Sequence, residues 1–110
     1  MVIANRVLRL RLGSNDIDVP IRIYAPEANG VDWTCRYEIG WPEGAKKSYA
    51  AGVDAVQALQ LALQKIGIEI YTSKHHESKA LSWGRPGSGY GFPVSNNIRD
   101  LLEGDDAKYL

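Results

Sequence analysis

The sequence predicts an α+β fold: an antiparallel β-meander of three or four strands, one long helix packed on one face, and a short C-terminal helix. Residues 7–41 contain three segments in which apolar and polar residues alternate, and short polar turns separate them. Apolar residues then recur at helical spacing over roughly sixteen residues. A chain of 110 residues is long enough for one hydrophobic core and too short for two. We therefore expect one domain over residues 1–110.

The first two strands form the start of the meander. Leu8, Leu10 and Leu12 alternate with a second phase that contains arginine. This period of two is typical of a strand with one buried face. Turn residues follow, and the second strand alternates over residues 18–25. Because Pro20 has no amide hydrogen to donate, this strand is expected to start at a sheet edge or beside a bulge.

The third strand shows the clearest alternation, with Trp33, Cys35, Tyr37 and Ile39 in the apolar phase. Residues 46–51 predict a fourth, short strand at the edge of the sheet. The lysines at its start suit an edge, because charged side chains disfavour pairing with another chain.

A long helix is predicted after Asp54, which is a good N-cap with Gln57 three residues later. Gly67 lies within the helical pattern and weakens the prediction of the last turn. The apolar positions of the helix are Ala55, Leu59, Ala62, Leu63, Ile66 and Ile70. The strands and the helix together predict a core of Leu8, Leu10, Ile21, Ile23, Cys35, Tyr37, Ile39, Leu59, Leu63 and Ile66.

Residues 72–94 form a long irregular segment, and such segments in small domains are often functional, mobile or internally packed. Within it, residues 81–83 and 90–92 are candidates for a small ladder across several glycines.

The C-terminal region predicts a short helix from about Ile98 to Glu103, with Asn97 as its N-cap and Gly104 as its stop. Residues 105–110 are expected to be a frayed tail.

Composition excludes several classes of protein. The chain has 13 basic and 13 acidic residues, so its formal net charge is zero, which argues against nucleic-acid binding. A single cysteine excludes an intrachain disulfide and a zinc site built of cysteines alone. No apolar run reaches the length of a membrane span or a signal peptide, so we expect no membrane association and a cytoplasmic location. No cofactor is predicted, because no cofactor motif occurs at the required spacing.

Metal or catalytic chemistry has few candidates. His75 and His76 are adjacent, and neighbouring side chains of an extended chain point to opposite sides, so no metal site is predicted and we interpret them as solvated loop residues. Cys35 shares a phase with apolar residues and is interpreted as a buried, unreactive thiol. An enzyme that uses Cys35 or the histidines remains an alternative.

A glycine-rich stretch contains Gly87, Gly89 and Gly91. It resembles a phosphate-binding loop only in composition, because a dinucleotide fingerprint should join a strand to a helix and a P-loop needs Gly-Lys-Ser/Thr. We interpret it as a glycine-rich turn with close backbone packing. A lid or binding loop is the alternative.

The polar phase of the three strands carries four arginines and one tyrosine, and Glu38 is the carboxylate that the pattern places among them. Arginine pairs with carboxylates and stacks on aromatic rings, so this phase is a candidate interaction face for a protein partner or a second copy of the chain. An ordinary solvated sheet face is the alternative. This arginine face consists of Arg9, Arg11, Arg22, Tyr24 and Arg36.

The aromatic residues of the irregular segment form a second candidate surface. They would either plug one end of the core or line a pocket for a small apolar ligand, although no convergent polar groups accompany them in the sequence. The residues of this candidate ligand loop are Trp33, Trp83, Arg85, Tyr90 and Phe92.

The segments 19–27, 33–42, 55–64 and 81–93 together resemble a family of small, single-domain bacterial proteins of unknown function. The resemblance runs over most of the chain and implies a bacterial, soluble protein. It brings no activity, cofactor or catalytic residue. The sequence therefore favours a non-catalytic protein-interaction module, with a small-ligand-binding protein and an enzyme as the alternatives.

Overall fold

A computed structural model describes residues 1–94 and 101–109 of the chain. It confirms the α+β class and the antiparallel sheet. The strands are β1 (Val2–Leu12), β2 (Asn15–Tyr24), β3 (Glu27–Ala28), β4 (Trp33–Ile39), β5 (Lys46–Gly52) and β6 (Leu81–Ser82). The helices are α1 (Ala55–Tyr71), α2 (Lys74–Glu77) and α3 (Gly104–Tyr109).

The sheet has six strands, so the predicted count of three or four is wrong. The additional strands β3 and β6 have two residues each, which is too short for an alternating pattern to predict. Neighbouring strands follow the order β3-β4-β2-β1-β6, and β5 pairs with β4. The predicted edge strand is confirmed as β5.

Pro20 lies inside β2 rather than at its start. It faces Val7 of β1, and the pairing of β2 with β4 runs only from Ile21 to Ile23. The Pro20 carbonyl accepts a hydrogen bond of 2.8 Å from Gly40, just beyond the end of β4. Because the proline flanks the paired stretch, its missing amide hydrogen costs the β2–β4 ladder no bond.

The start of α1 forms as the sequence predicts. The Asp54 side chain accepts a hydrogen bond of 2.8 Å from the Gln57 amide, and the Gln57 side chain accepts one of 2.7 Å from the Val53 amide. This reciprocal pair satisfies two amides that a helix start otherwise leaves without partners. The helix continues through Gly67 to Tyr71.

One face of α1 packs on β4 and β5, and its buried residues are Ala58, Ala62, Ile66, Gly67, Ile70 and Tyr71. Leu59 and Leu63 pack against the core but are only partly buried, so the prediction that they are largely buried is wrong. The other predicted core residues are buried. The helix backbone lies close to β5 where Gly52 meets Ala58, and close to the Pro93 backbone at Gly67, so small residues face the core there.

The irregular segment completes the core. Leu81, Tyr90, Phe92 and Val94 are all buried. A Cβ atom added at Gly67 would lie 2.7 Å from the Pro93 carbonyl oxygen, so this glycine permits the segment to lie directly on α1. The predicted ladder between residues 81–83 and 90–92 is wrong, because β6 pairs with Arg9 and Leu10 of β1 instead.

The C-terminal region differs from the sequence prediction. Of the helix predicted from about Ile98 to Glu103, residues 98–100 lie outside the described residues, as does its predicted N-cap Asn97, and residues 101–103 are not α-helical. A helix begins at Gly104, where the sequence predicted a stop, and Asp106 within it is only 2% exposed. The frayed tail predicted over residues 105–110 is therefore wrong for the described part. Among the described residues, no helix has the length and apolar character of a membrane span.

Candidate functional site

A cleft of about 670 Å³ lies between the end of α1, α2, the irregular segment and the residues before α3. Tyrosine rings and apolar side chains line it together with several polar groups. The lining residues are Tyr71, Thr72, Ser73, His76, Glu77, Lys79, Leu81, Pro86, Gly87, Tyr90, Leu101 and Glu103.

Three aromatic rings form the centre of the cleft wall. The ring centroids of Tyr71 and His76 are 4.8 Å apart, and those of Tyr71 and Tyr90 are 5.2 Å apart, both with edge-to-face geometry. The Tyr90 hydroxyl forms a hydrogen bond of 2.6 Å with Nδ1 of His76 and lies 3.3 Å from the Leu81 carbonyl oxygen. Nδ1 of His76 also lies 3.9 Å from Oε1 of Glu103.

The local fold explains why two adjacent histidines have different surroundings. The Ser73 side chain accepts a hydrogen bond from the His76 amide and starts the single turn of α2. Successive residues of a helical turn point about 100° apart. His75 is buried against Trp41 and forms a hydrogen bond of 2.9 Å with Glu43, whereas His76 faces the cleft. The interpretation of both as solvated loop residues is therefore wrong.

A buried carboxylate holds the tyrosines in place. Oδ2 of Asp106 accepts hydrogen bonds from the Tyr71 hydroxyl at 2.5 Å and from the Tyr90 amide at 2.7 Å. Oδ1 accepts one from the Gly91 amide at 2.8 Å. Burial raises the pKa of both tyrosine hydroxyls; the bond to Asp106 raises that of Tyr71 further, and the charges of Glu103 and Asp106 raise that of Tyr90. Both hydroxyls therefore stay protonated at neutral pH.

The glycine-rich loop surrounds this carboxylate. Gly87, Gly89 and Gly91 all have positive φ. A Cβ atom at Gly89 would lie 2.5 Å from Cγ of Asp106, and one at Gly91 would lie 2.5 Å from the Trp83 ring. The close backbone packing predicted for this stretch is confirmed.

The predicted ligand-loop residues do not form one site. Tyr90 lines the cleft. Phe92, two residues later in the chain, is buried in the core and does not line the cleft. Trp83 and Phe92 contact the Arg6 guanidinium, whose Cζ lies 3.8 Å and 4.9 Å from the two ring centroids. Arg85 is exposed, and Trp33 packs on the core from β4. Arg6 and Trp83 thus anchor the irregular segment to β1.

Four residues of the site could not be predicted from the sequence: Tyr71, His76 as a cleft residue, Glu103 and Asp106. Tyr71 is the last residue of α1, next to the predicted apolar stripe, and that position is the one available signal for it. Glu103 and Asp106 reach the site through tertiary contact alone. Within residues 1–94 and 101–109, no group of histidine, cysteine and acidic side chains has the arrangement of a metal site.

Cys35 is fully buried on β4, and its thiol donates a hydrogen bond of 3.3 Å to the Tyr24 carbonyl. Burial raises the pKa of this thiol, so the thiolate that nucleophilic chemistry requires is disfavoured.

The arginine face lies on the side of the sheet opposite α1. Its four arginine side chains are 45–74% exposed. Asp16 lies 3.4 Å from Arg11 and 4.0 Å from Arg9, so the sequence-based assignment of Glu38 as the carboxylate of this face is incomplete. Arg22 pairs with Glu38 at 3.5 Å, and Arg36 pairs with Glu27 at 3.4 Å. Each arginine therefore has a carboxylate of its own chain within reach.

Comparisons with known proteins give one match. A family model described as "Domain of unknown function (DUF6968)" matches residues 4–94. The comparison with curated proteins and the comparison with solved structures found no match. Of the site residues, Tyr71, His76 and Tyr90 lie inside the matched range, and Glu103 and Asp106 lie outside it.

Proposed function

This chain belongs to the DUF6968 family, and we propose that its cleft at Tyr71, His76 and Tyr90 binds a small molecule. The observation that carries the proposal is the convergence of polar groups on an aromatic wall. Small-molecule sites are mostly apolar concavities with a few placed polar groups that orient the ligand. Of this aromatic wall the sequence predicted Tyr90, and the fold adds Tyr71, His76 and Glu103.

The size and composition of the cleft support this role. Its volume of about 670 Å³ lies within the usual range for small-molecule pockets. Leu81, Pro86 and Leu101 contribute apolar surface beside the tyrosine rings. The best ligand would have a flat apolar body for this wall and a hydrogen-bonding group for the imidazole of His76.

The walls are also held in place before a ligand binds. Tyr90 bonds to His76, and Tyr71 bonds to Asp106, so the rings at the centre of the cleft have fixed orientations. Binding to fixed side chains loses less conformational entropy than binding to mobile ones.

Nuclear magnetic resonance of the ¹⁵N-labelled chain tests this role, with phenol, benzamide and phenylacetamide as probes. We expect a probe to shift amide signals of residues that line the cleft in a saturable manner. His76→Ala should weaken its binding at least about tenfold. Arg85→Ala is the matched control, because Arg85 is exposed in the same segment and does not line the cleft. Unshifted cleft signals with all three probes, or equal binding by His76→Ala, would overturn the proposal.

Protein binding by the arginine face is the second candidate function. The observation that favours it is that α1 packs on the opposite side of the sheet and leaves these arginines exposed. An acidic surface on a second copy would compete with the carboxylates that now pair with them.

Sedimentation of the wild type and of the triple variant Arg11→Gln, Arg22→Gln, Arg36→Gln tests self-association. We expect the variant to self-associate at least about tenfold more weakly, with thermal stability within a few degrees of the wild type. Unchanged association would leave this face as ordinary solvated surface.

A further inference from the structure

The glycine-rich loop binds a carboxylate that belongs to its own chain. We propose that this loop is a binding site for a small carboxylate ligand. In this structure Asp106 fills the site, and the ligand takes its place when the C-terminal segment moves away. The proposal rests on the proposed function, because the rest of the ligand would lie in the cleft.

The site is built for a carboxylate. Donors from Tyr71, Tyr90 and Gly91 reach both oxygens of Asp106 at 2.5–2.8 Å. Consecutive backbone amides that converge on one anion require glycine conformations such as the positive φ of Gly89 and Gly91. Because Gly89 has no side chain, the carboxylate can lie directly against the backbone.

A half-buried cation supports anion binding at this place. Nη1 of Arg6 donates a hydrogen bond of 2.9 Å to the Tyr90 carbonyl, and its charge interacts with that of Asp106. Removal of the Asp106 carboxylate would leave the Tyr71 hydroxyl and the Tyr90 and Gly91 amides without their acceptor, close to the charge of Arg6. A buried donor without an acceptor is unfavourable, so an external carboxylate would be favoured there. Glu103 lines the adjacent cleft and opposes this attraction in part.

The described side chains of the helix that carries Asp106 are mostly exposed. In α3, Gly104, Asp105, Ala107 and Lys108 are exposed, and Asp106 alone among the side chains described there is buried. The Asp105 amide donates a hydrogen bond of 2.9 Å to the Ser88 carbonyl. A competing carboxylate would replace the Asp106 contact of α3, while Leu102 before the helix packs on the core and the Glu103 amide donates a hydrogen bond to the Tyr71 hydroxyl.

The extent of the family match separates the site from its present occupant. Arg6, Tyr71, Tyr90 and Gly91 lie within residues 4–94, which the family model matches. Asp106 lies outside this range. The anion-binding groups thus belong to the domain that defines the family, whereas the carboxylate comes from a part of the chain that the family model does not include.

The cleft indicates a small molecule as the external ligand. Tyr71 and Tyr90 donate to the carboxylate and also line the cleft. A ligand with its carboxylate in the loop would place its remaining atoms in the cleft, against these rings. A cleft of about 670 Å³ admits a small molecule but not a folded protein.

Amide signals of Tyr90 and Gly91 provide the test, recorded for the 110-residue chain at constant ionic strength. The variants are Asp106→Ala, which empties the loop, and Asp106→Asn, which keeps the side-chain size and guards against loss of folding. Asp105→Ala is the matched control, because Asp105 is the exposed neighbour. The probes are acetate, phenylacetate and its uncharged analogue phenylacetamide.

We expect acetate to shift both signals of Asp106→Ala and Asp106→Asn at concentrations at least about tenfold lower than in the wild type and in Asp105→Ala. Phenylacetate should bind these variants more tightly than acetate, because its ring enters the cleft. Absence of saturable shifts with acetate in both variants would overturn the proposal.

The probes also separate the two proposals. If acetate binds the variants and phenylacetate binds no more tightly, the carboxylate site stands and the cleft proposal fails. If phenylacetamide binds as tightly as phenylacetate, the cleft proposal stands and the carboxylate site is overturned.

Discussion

Replacement of Ile66 by alanine tests the packing of α1 on the sheet. Ile66 is fully buried in the middle of the core face of the helix. Alanine lacks the side-chain carbons beyond Cβ, and at about 0.8 kcal/mol per CH₂ group their loss removes roughly 2.4 kcal/mol of burial energy. A residual cavity on the order of 50 Å³ adds about 1.2 kcal/mol at ~24 cal/mol per Å³. The expected loss in the free energy of unfolding is therefore about 3.6 kcal/mol.

Urea unfolding followed by circular dichroism measures this loss. The variant should also melt roughly 14 °C lower, since 1 kcal/mol corresponds to about 4 °C for a domain of this size. Val56→Ala is the control on the same helix, because Val56 is 72% exposed. Its free energy of unfolding should stay within about 0.5 kcal/mol of the wild type.

A loss below about 0.5 kcal/mol for Ile66→Ala would refute the reasoning, because that is the size of a surface effect. An equal loss in Val56→Ala would refute it too, since the two sides of α1 would then contribute alike.

The remaining predictions concern a thiol, an ion pair and a helix glycine. Cys35 should react with a thiol reagent at least about tenfold more slowly in the native state than in denaturant, because burial shields the sulfur and raises the pKa of its thiol; equal rates would contradict its burial. The hydrogen bond from His75 lowers the pKa of Glu43, so the stability that this bond contributes is complete above the ordinary glutamate pKa of about 4.5 and is lost as the pH falls below it. In melting curves between about pH 7 and pH 3, Glu43→Gln should remove this part of the acid dependence; an unchanged pH profile would show that the pair does not form. Gly67→Ala should destabilise the fold by about 1–2 kcal/mol in urea unfolding although alanine favours helix, because the Pro93 backbone oxygen would lie 2.7 Å from the new Cβ. A gain in stability would show that the segment beyond Phe92 does not lie on α1.

Local patterns were sufficient for the regular elements. The alternation that predicted β1, β2 and β4 depends on one face of each strand being buried, and this is a property of the strand itself. The capping pair at Asp54 and Gln57 likewise acts within one turn of the chain. The phase of α1 was less well predicted, since Leu59 and Leu63 are more hydrophobic than Ala58 and Gly67 but lie further from the core. Small residues lie on the core side of α1 because its backbone passes close to β5 and to the Pro93 backbone. A hydrophobicity pattern does not predict such a close approach.

The candidate site depends on contacts between residues distant in the chain. His76 is separated by 14 positions from Tyr90, its hydrogen-bond partner, and Tyr71 by 35 from Asp106. No periodicity connects such positions, so the sequence assigned the histidines to solvent and Asp106 to a frayed tail. The tyrosine rings also look like ordinary core residues until their hydroxyl partners are known.

The sequence by itself determined the α+β class, the main strands, the long helix and its N-cap, and the exposed phase of four arginines. It did so because burial alternates with a period of two in strands and recurs every three or four residues in helices. Only the tertiary structure decided that the irregular segment joins the core and that Asp106 fills the glycine-rich loop. It also decided that His75 and His76 lie in different environments. These features follow from the folding of the chain onto itself, where one hydrogen bond between distant residues is as strong as a local one but leaves no pattern in the sequence.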